Sequence, residues 1–124
     1  MKDENNDLKA RTKEFALRVI RMYAALPKSA EGQVLGKQVL RSGTSVGANY
    51  REACRARSKA EFVAKIGDCL KELDETLYWL ELLRETQTLA SEAVHLLAKE
   101  CNELLAIFTA ISKKTKASLA THCP

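Results

Sequence analysis

Residues 41–57 read "RSGTSVGANYREACRAR". Two glycines and several small residues stand where the flanking sequence reads as helix, with arginines at both ends. Each glycine costs a helix interior roughly 1 kcal/mol against alanine, so this stretch decides whether the chain continues as a helix or breaks. At 100° per residue, Leu35, Val39, Ser42, Val46, Tyr50 and Ala53 share one face. Lys37, Arg41, Thr44, Ala48, Arg51 and Arg55 share the opposite one, within an arc of about 80°. Gly36, Gly43, Gly47 and Cys54 line a flank between them. Glycines gathered on one flank let another backbone approach closely, and a helix carrying them needs tertiary packing to persist. The spacing therefore predicts a helix starting near Ser29–Glu31 and running through the glycines. The alternative is a kink or break near Ser42–Thr44, with Thr44 or Ser45 as a new N-cap.

Outward from this stretch the pattern is helical throughout. Upstream, Leu8, Thr12, Phe15, Val19, Met22 and Leu26 recur at alternating spacings of four and three, a helical seam. Asp7 is placed to cap it and Pro27 to end it, because the residue before proline is pushed out of the α region. Downstream, Ser58 and Glu61 form a capping box that opens a third helix. Its seam is Phe62, Ile66, Cys69, Leu73, Thr76, Leu80 and Leu83, with a second stripe at Val63, Leu70 and Leu77. Trp79 and Leu82 fall outside the first seam, and Tyr78 stands beside Trp79. Residues 86–90 make a turn, with Thr88 or Ser91 as the cap of a fourth helix. The core line of that helix is Leu97, Cys101, Leu104, Phe108 and Ile111.

The 124 residues contain only five glycines and two prolines, and no alternating strand pattern of useful length is present. The expected fold is all-α. Short connections make neighbouring helices antiparallel, which gives an up-down-up-down four-helix bundle forming one domain over residues 1–124. Residues 1–6 and the weakly patterned 113–124 read as flexible tails. The opening residues hold no apolar core of signal-peptide length and no run of 18 apolar residues occurs. No membrane association is expected. The four cysteines are widely spaced without a C-x-x-C pair, which fits reduced, buried thiols in a cytoplasmic protein.

Candidate chemistry is sparse. Glu92 and His95 spell E-x-x-H, the spacing used by carboxylate di-iron bundles, but the only other histidine is His122. His95 and Cys101 point in different directions around their helix. Glu72 and Glu75 read as a solvated charged face. No cofactor or metal site is expected, and the chain reads as non-enzymatic. Charge offers more. Residues 1–65 hold 14 Lys/Arg against 7 Asp/Glu, a balance of +7, and residues 66–124 hold 6 against 9, or −3. A basic first half suits polyanions or an acidic partner surface. Lys37, Arg41, Arg51 and Arg55 are the candidate phosphate-binding residues, with Arg11 and Arg18 of the first helix as helpers. No aromatic residue is interleaved, so such a stripe would read backbone charge and not stack on bases.

"LRSGTSVGANYREA", "SKAEFVAKI" and "ETLYWLELL" together resemble the four-helix-bundle proteins encoded in intervening sequences of bacterial 23S rRNA genes, over roughly residues 8–112. The landmarks are Ser45, Ala48, Asn49, Glu52, Ser58, Phe62, Glu72, Glu75, Tyr78, Trp79 and Leu80. The chain departs from the family pattern at Gly47, where many members have proline, and at Tyr50–Ala53. The resemblance implies an antiparallel bundle that assembles as a homopentamer. The glycine flank and the aromatic pair outside the seam of the third helix make Gly43, Gly47, Tyr78 and Trp79 the candidate oligomer or close-packing contacts. It also implies a distant likeness to the accessory protein of diversity-generating retroelements, which binds nucleic acid and a reverse transcriptase. The expected function is a homo-oligomeric bundle binding nucleic acid, RNA first, through the basic helix face. The alternative is a protein-binding scaffold or accessory subunit that recruits an enzyme such as a reverse transcriptase.

Overall fold

The structure, a computed structural model, describes residues 2–86, 88, 89 and 92–122, with side chains within the span 7–119. Four helices follow one another: α1 (Lys2–Ala25), α2 (Ala30–Cys54), α3 (Lys59–Glu85) and α4 (Glu92–His122). α2 and α3 begin where local chemistry requires it. The Ser29 hydroxyl accepts from the Gly32 amide at 3.1 Å, opening α2 immediately after Pro27. The Ser58 hydroxyl accepts from the Glu61 amide at 3.0 Å, as the capping box predicts. The Glu61 carboxylate reaches one residue further back than the motif implies and accepts from the Arg57 amide at 3.1 Å.

α2 is continuous through the glycine stretch. The hydroxyls that could have capped a new helix bond backwards to carbonyls four residues earlier: Ser42 to Gln38, Thr44 to Leu40 and Ser45 to Arg41, at 2.7–2.9 Å. In that geometry the hydroxyls are occupied within the existing turn and offer nothing to forward amides. Two boundaries differ from the sequence reading. α1 starts at Lys2, so Asp7 lies inside it and is no cap. α4 runs to His122, so residues 113–122, read as a tail, continue the helix. Ser91, a candidate cap, and Cys123 lie outside the described residues.

Paired contacts run in opposite directions along each pair of neighbours. Tyr23 meets Gly36 while Thr12 meets Gly47. Arg41 meets Glu75 while Glu52 meets Lys65, and Leu73 meets Cys101 while Lys59 meets Ser118. The bundle is therefore antiparallel and up-down-up-down. α1 and α4 touch least of the four neighbouring pairs. The whole α1 seam from Leu8 to Leu26 is buried, together with Val39, Val46 and Tyr50 of α2 and Ile66, Leu73, Leu80 and Leu83 of α3. Leu97, Cys101, Leu104 and Phe108 complete the core from α4, with Phe108 edge-on to Tyr50 at 5.4 Å between centroids. No helix among the described residues is long and apolar enough to cross a membrane.

Candidate nucleic-acid interface

The glycine flank of α2 faces α1. A Cβ built on Gly43 would stand 2.9 Å from Val19 Cγ2, and one on Gly47 would stand 3.2 Å from Thr12 Oγ1. At Gly36 the same atom would meet the Leu26 side chain at 2.7 Å. The missing side chains thus set the distance between two helices of one chain. Gly43 and Gly47 make their close contact inside the subunit.

Such close approach places the outer edges of α1 and α2 side by side. Lys9 and Lys13, one turn apart on α1, face Arg51 of α2 across a groove of about 340 Å³. Its floor is Thr12, Thr44 and Gly47. No carboxylate lines it among the described residues. Asp7 and Glu14 of α1 turn elsewhere: Asp7 borders Ile107 and Ile111 of α4, and Glu14 pairs with Arg21 at 3.3 Å. Three cations around an open groove can bind an anionic backbone, and none of the three has an ion pair among the described residues.

The candidate cations of the sequence reading separate into three groups. Arg51 is in the groove, and Arg55, the C-cap of α2, is exposed one turn beyond it. Lys37 is exposed but lies about 21 Å from Arg51 along the helix axis, fourteen residues away. Arg41 is committed to α3, donating to Glu72 at 3.0 Å and to Glu75 at 3.1 Å. Glu72 and Glu75, read as a solvated face, are instead its anchors, and Glu72 is buried. A hydrogen bond with Glu72 and those from Arg41 hold the Glu75 carboxyl below its usual range.

Arg11 and Arg18 likewise leave the proposed face. Seven residues apart, they share the side of α1 that looks toward α4. Arg11 makes a two-pronged pair with Glu100, both bonds at 2.7 Å, and approaches Glu103 at 3.6 Å. That hydrogen bonding raises its pKa. Arg18 borders a different groove, between α1 and α4. Sequence reasoning missed Lys9 and Lys13. The signal was available, because both flank Thr12 on the side a glycine-faced α2 would approach.

The remaining candidates lie apart. Cys69 and Cys101 are buried, their thiols directed at the carbonyls of Val46 (3.6 Å) and Leu73 (3.2 Å). Burial pushes both thiols up to about 12, so neither is a nucleophile at neutral pH. Glu92 and His95 are exposed, and His95 neighbours Arg84 and Lys99. Among the described residues no three His, Cys, Asp or Glu side chains gather into a metal-binding group. Tyr78 is exposed and lies edge-on to Trp79 at 5.1 Å. The Trp79 indole nitrogen is buried with no acceptor.

No curated protein matches the chain. Among solved structures, a protein of unknown function from the S23 ribosomal protein family of Bacteroides thetaiotaomicron is similar at 41% identity. The match covers 85% of this chain and 97% of that one, with a TM-score of 0.79. The family model for the 23S rRNA-intervening sequence protein matches residues 4–110, which takes in α1, the glycine-bearing α2, α3 and most of α4. A match that spans the basic groove and nearly all of the core places this chain in the 23S rRNA-intervening sequence protein family.

Proposed function

We propose that the protein is a non-enzymatic, cytoplasmic, homo-oligomeric bundle that binds RNA by its phosphate backbone along the α1/α2 groove. The observation that carries this reading is the convergence of Lys9, Lys13 and Arg51 on a groove that no carboxylate among the described residues lines. Arg55 extends the surface beyond the end of α2. The groove floor holds no aromatic side chain, so contacts go to phosphates and sequence preference is weak. Self-association is supported by Tyr78 and Trp79 on α3, where an exposed ring stands over an indole lacking an acceptor. A pentamer is the form the family resemblance implies. Repetition of a modest groove around a closed assembly strengthens binding through effective concentration.

The test is titration of a fluorescent RNA with wild type, a Lys13→Glu/Arg51→Glu double variant and Arg41→Ala, at several salt concentrations. The double variant should bind far more weakly, and its salt slope should fall by about 0.7 to 0.9 for each phosphate it no longer engages. Arg41→Ala should leave affinity nearly unchanged, since that cation is already held by Glu72 and Glu75. Equal affinities and slopes for wild type and double variant would remove the reading.

A further inference from the structure

α1 is held unequally by its two neighbours. The glycine flank draws it against α2, and its contact with α4 is the slightest in the bundle. Near the N-terminal half of α1 the Arg11–Glu100 fork spans that seam. Toward the C-terminal end of α1 the seam opens into a groove of about 440 Å³. Met22 and Leu97, both buried, form the floor, and Ala25 and Leu96 stand at the walls. Leu96 is 44% exposed. Arg18 and Arg21 line the α1 side.

We propose that this α1/α4 groove docks an acidic amphipathic helix of a partner protein. From Arg18 to Ala25 the groove extends about 10 Å, two turns of a helix, the length over which anchors at i, i+3 or i+4, and i+7 engage an apolar groove. The alanine at position 25 leaves room for the anchors' side chains. Charge selects the guest's flanks. Two arginines line the groove, no carboxylate does, and Arg18 has no ion pair among the described residues. Arg21 reaches Glu14 at 3.3 Å, an exposed pair that a guest carboxylate can replace at little cost. The apolar floor gains nothing from phosphates, which separates this surface from the α1/α2 groove on the other side of the same helix.

The probe is a fluorescein-labelled helical peptide of four turns, with leucines at i, i+4 and i+7 and glutamates on both flanks. Its twin has lysines in place of the glutamates. Anisotropy titrations with the full chain should show the acidic peptide binding roughly tenfold or more tighter than its twin. Arg18→Glu should invert that order, and Leu96→Asp, at an exposed position, should abolish both, with thermal melts confirming that each variant folds. Equal affinity for the two peptides, absence of binding by the acidic one, or indifference to Arg18→Glu would overturn the proposal. So would light scattering in which Leu96→Asp has a smaller mass than an oligomeric wild type, because the groove would then be filled by a second copy. RNA affinity should be unaffected by Leu96→Asp, so the outcome is independent of the α1/α2 reading.

Discussion

Along its α1 edge, α2 presents Gly36, Gly43 and Gly47; along its α3 edge it presents Ser42, Val46 and Arg41. On the first edge the contact is made by the absence of side chains, with Val19 and Thr12 packed directly on the α2 backbone. On the second it is made by specific polar pairs. Thr76 Oγ1 lies 2.7 Å from Ser42 Oγ, the Cys69 thiol is directed at the Val46 carbonyl, and Arg41 bridges to two glutamates. Arg41 and Arg51 belong to one helix and fall within one 80° arc, yet they end in opposite circumstances. Arg41 sits at the α3 end of the arc and meets carboxylates. Arg51 sits at the α1 end and meets two lysines. The difference teaches that the availability of a helix cation is set by the neighbouring helix, and only loosely by the face it shares.

The strongest way to break the comparison is to give the α1 edge a side chain. Gly43→Leu should overpack Val19, whose branched methyls cannot swing aside, and lower stability by about 1–3 kcal/mol in denaturant unfolding. Gly67→Ala is the matched control, because a Cβ there meets nothing within 4 Å. It should stabilise α3 by about 0.5–1 kcal/mol through helix propensity alone. Finding both substitutions equally tolerated would mean the glycines do not set the helix separation.

On the α3 edge, Thr76→Val keeps the shape of the side chain and removes the hydroxyl that meets Ser42. The loss of that buried hydrogen bond should cost about 1 kcal/mol, less than the glycine substitution. Unfolding free energies that rank the two the other way would reverse the account of which edge is the more tightly constrained.

Arg41→Ala should have the smallest effect, at most about 1 kcal/mol, since the guanidinium is half exposed and its pairs are screened by solvent. Its dependence on pH sharpens the comparison. Glu75 is held below the usual 4.5, so its contribution is fully present above that value and is lost as pH falls through the lowered one. The stability difference between wild type and Arg41→Ala should therefore be constant near neutrality and shrink in acid. A difference that grows in acid would show that Glu75 is not the partner.

Much of the fold was legible in residue spacing. The α1 seam, the α3 seam, the start of α2 near Ser29–Glu31 and the capping serine Ser58 all follow from local rules. The glycine flank was legible as a site of close approach but not as to which helix approaches. The basic stripe was legible only as a shared face. Its division among Arg41, Arg51 and Lys37, and the redirection of Arg11 and Arg18 toward α4, depend on side-chain reach across helices that no single-helix projection contains.

The sequence by itself determined that the chain forms four amphipathic helices, where α2 and α3 start, and which residues meet in the core. Hydrophobic period and capping chemistry are local, and burial of an apolar stripe is insensitive to the neighbour's identity. Only the tertiary structure decided which cations stay free. An ion pair needs two charges within about 4 Å, a condition set by helix separation and register. Here the glycines set the first by admitting α1 against α2 and leaving the α1/α4 seam open. Lys9, Lys13 and Arg51 then line one groove, Lys9 half-buried and the other two exposed, while Arg11 and Arg41 are spent on Glu100 and Glu72.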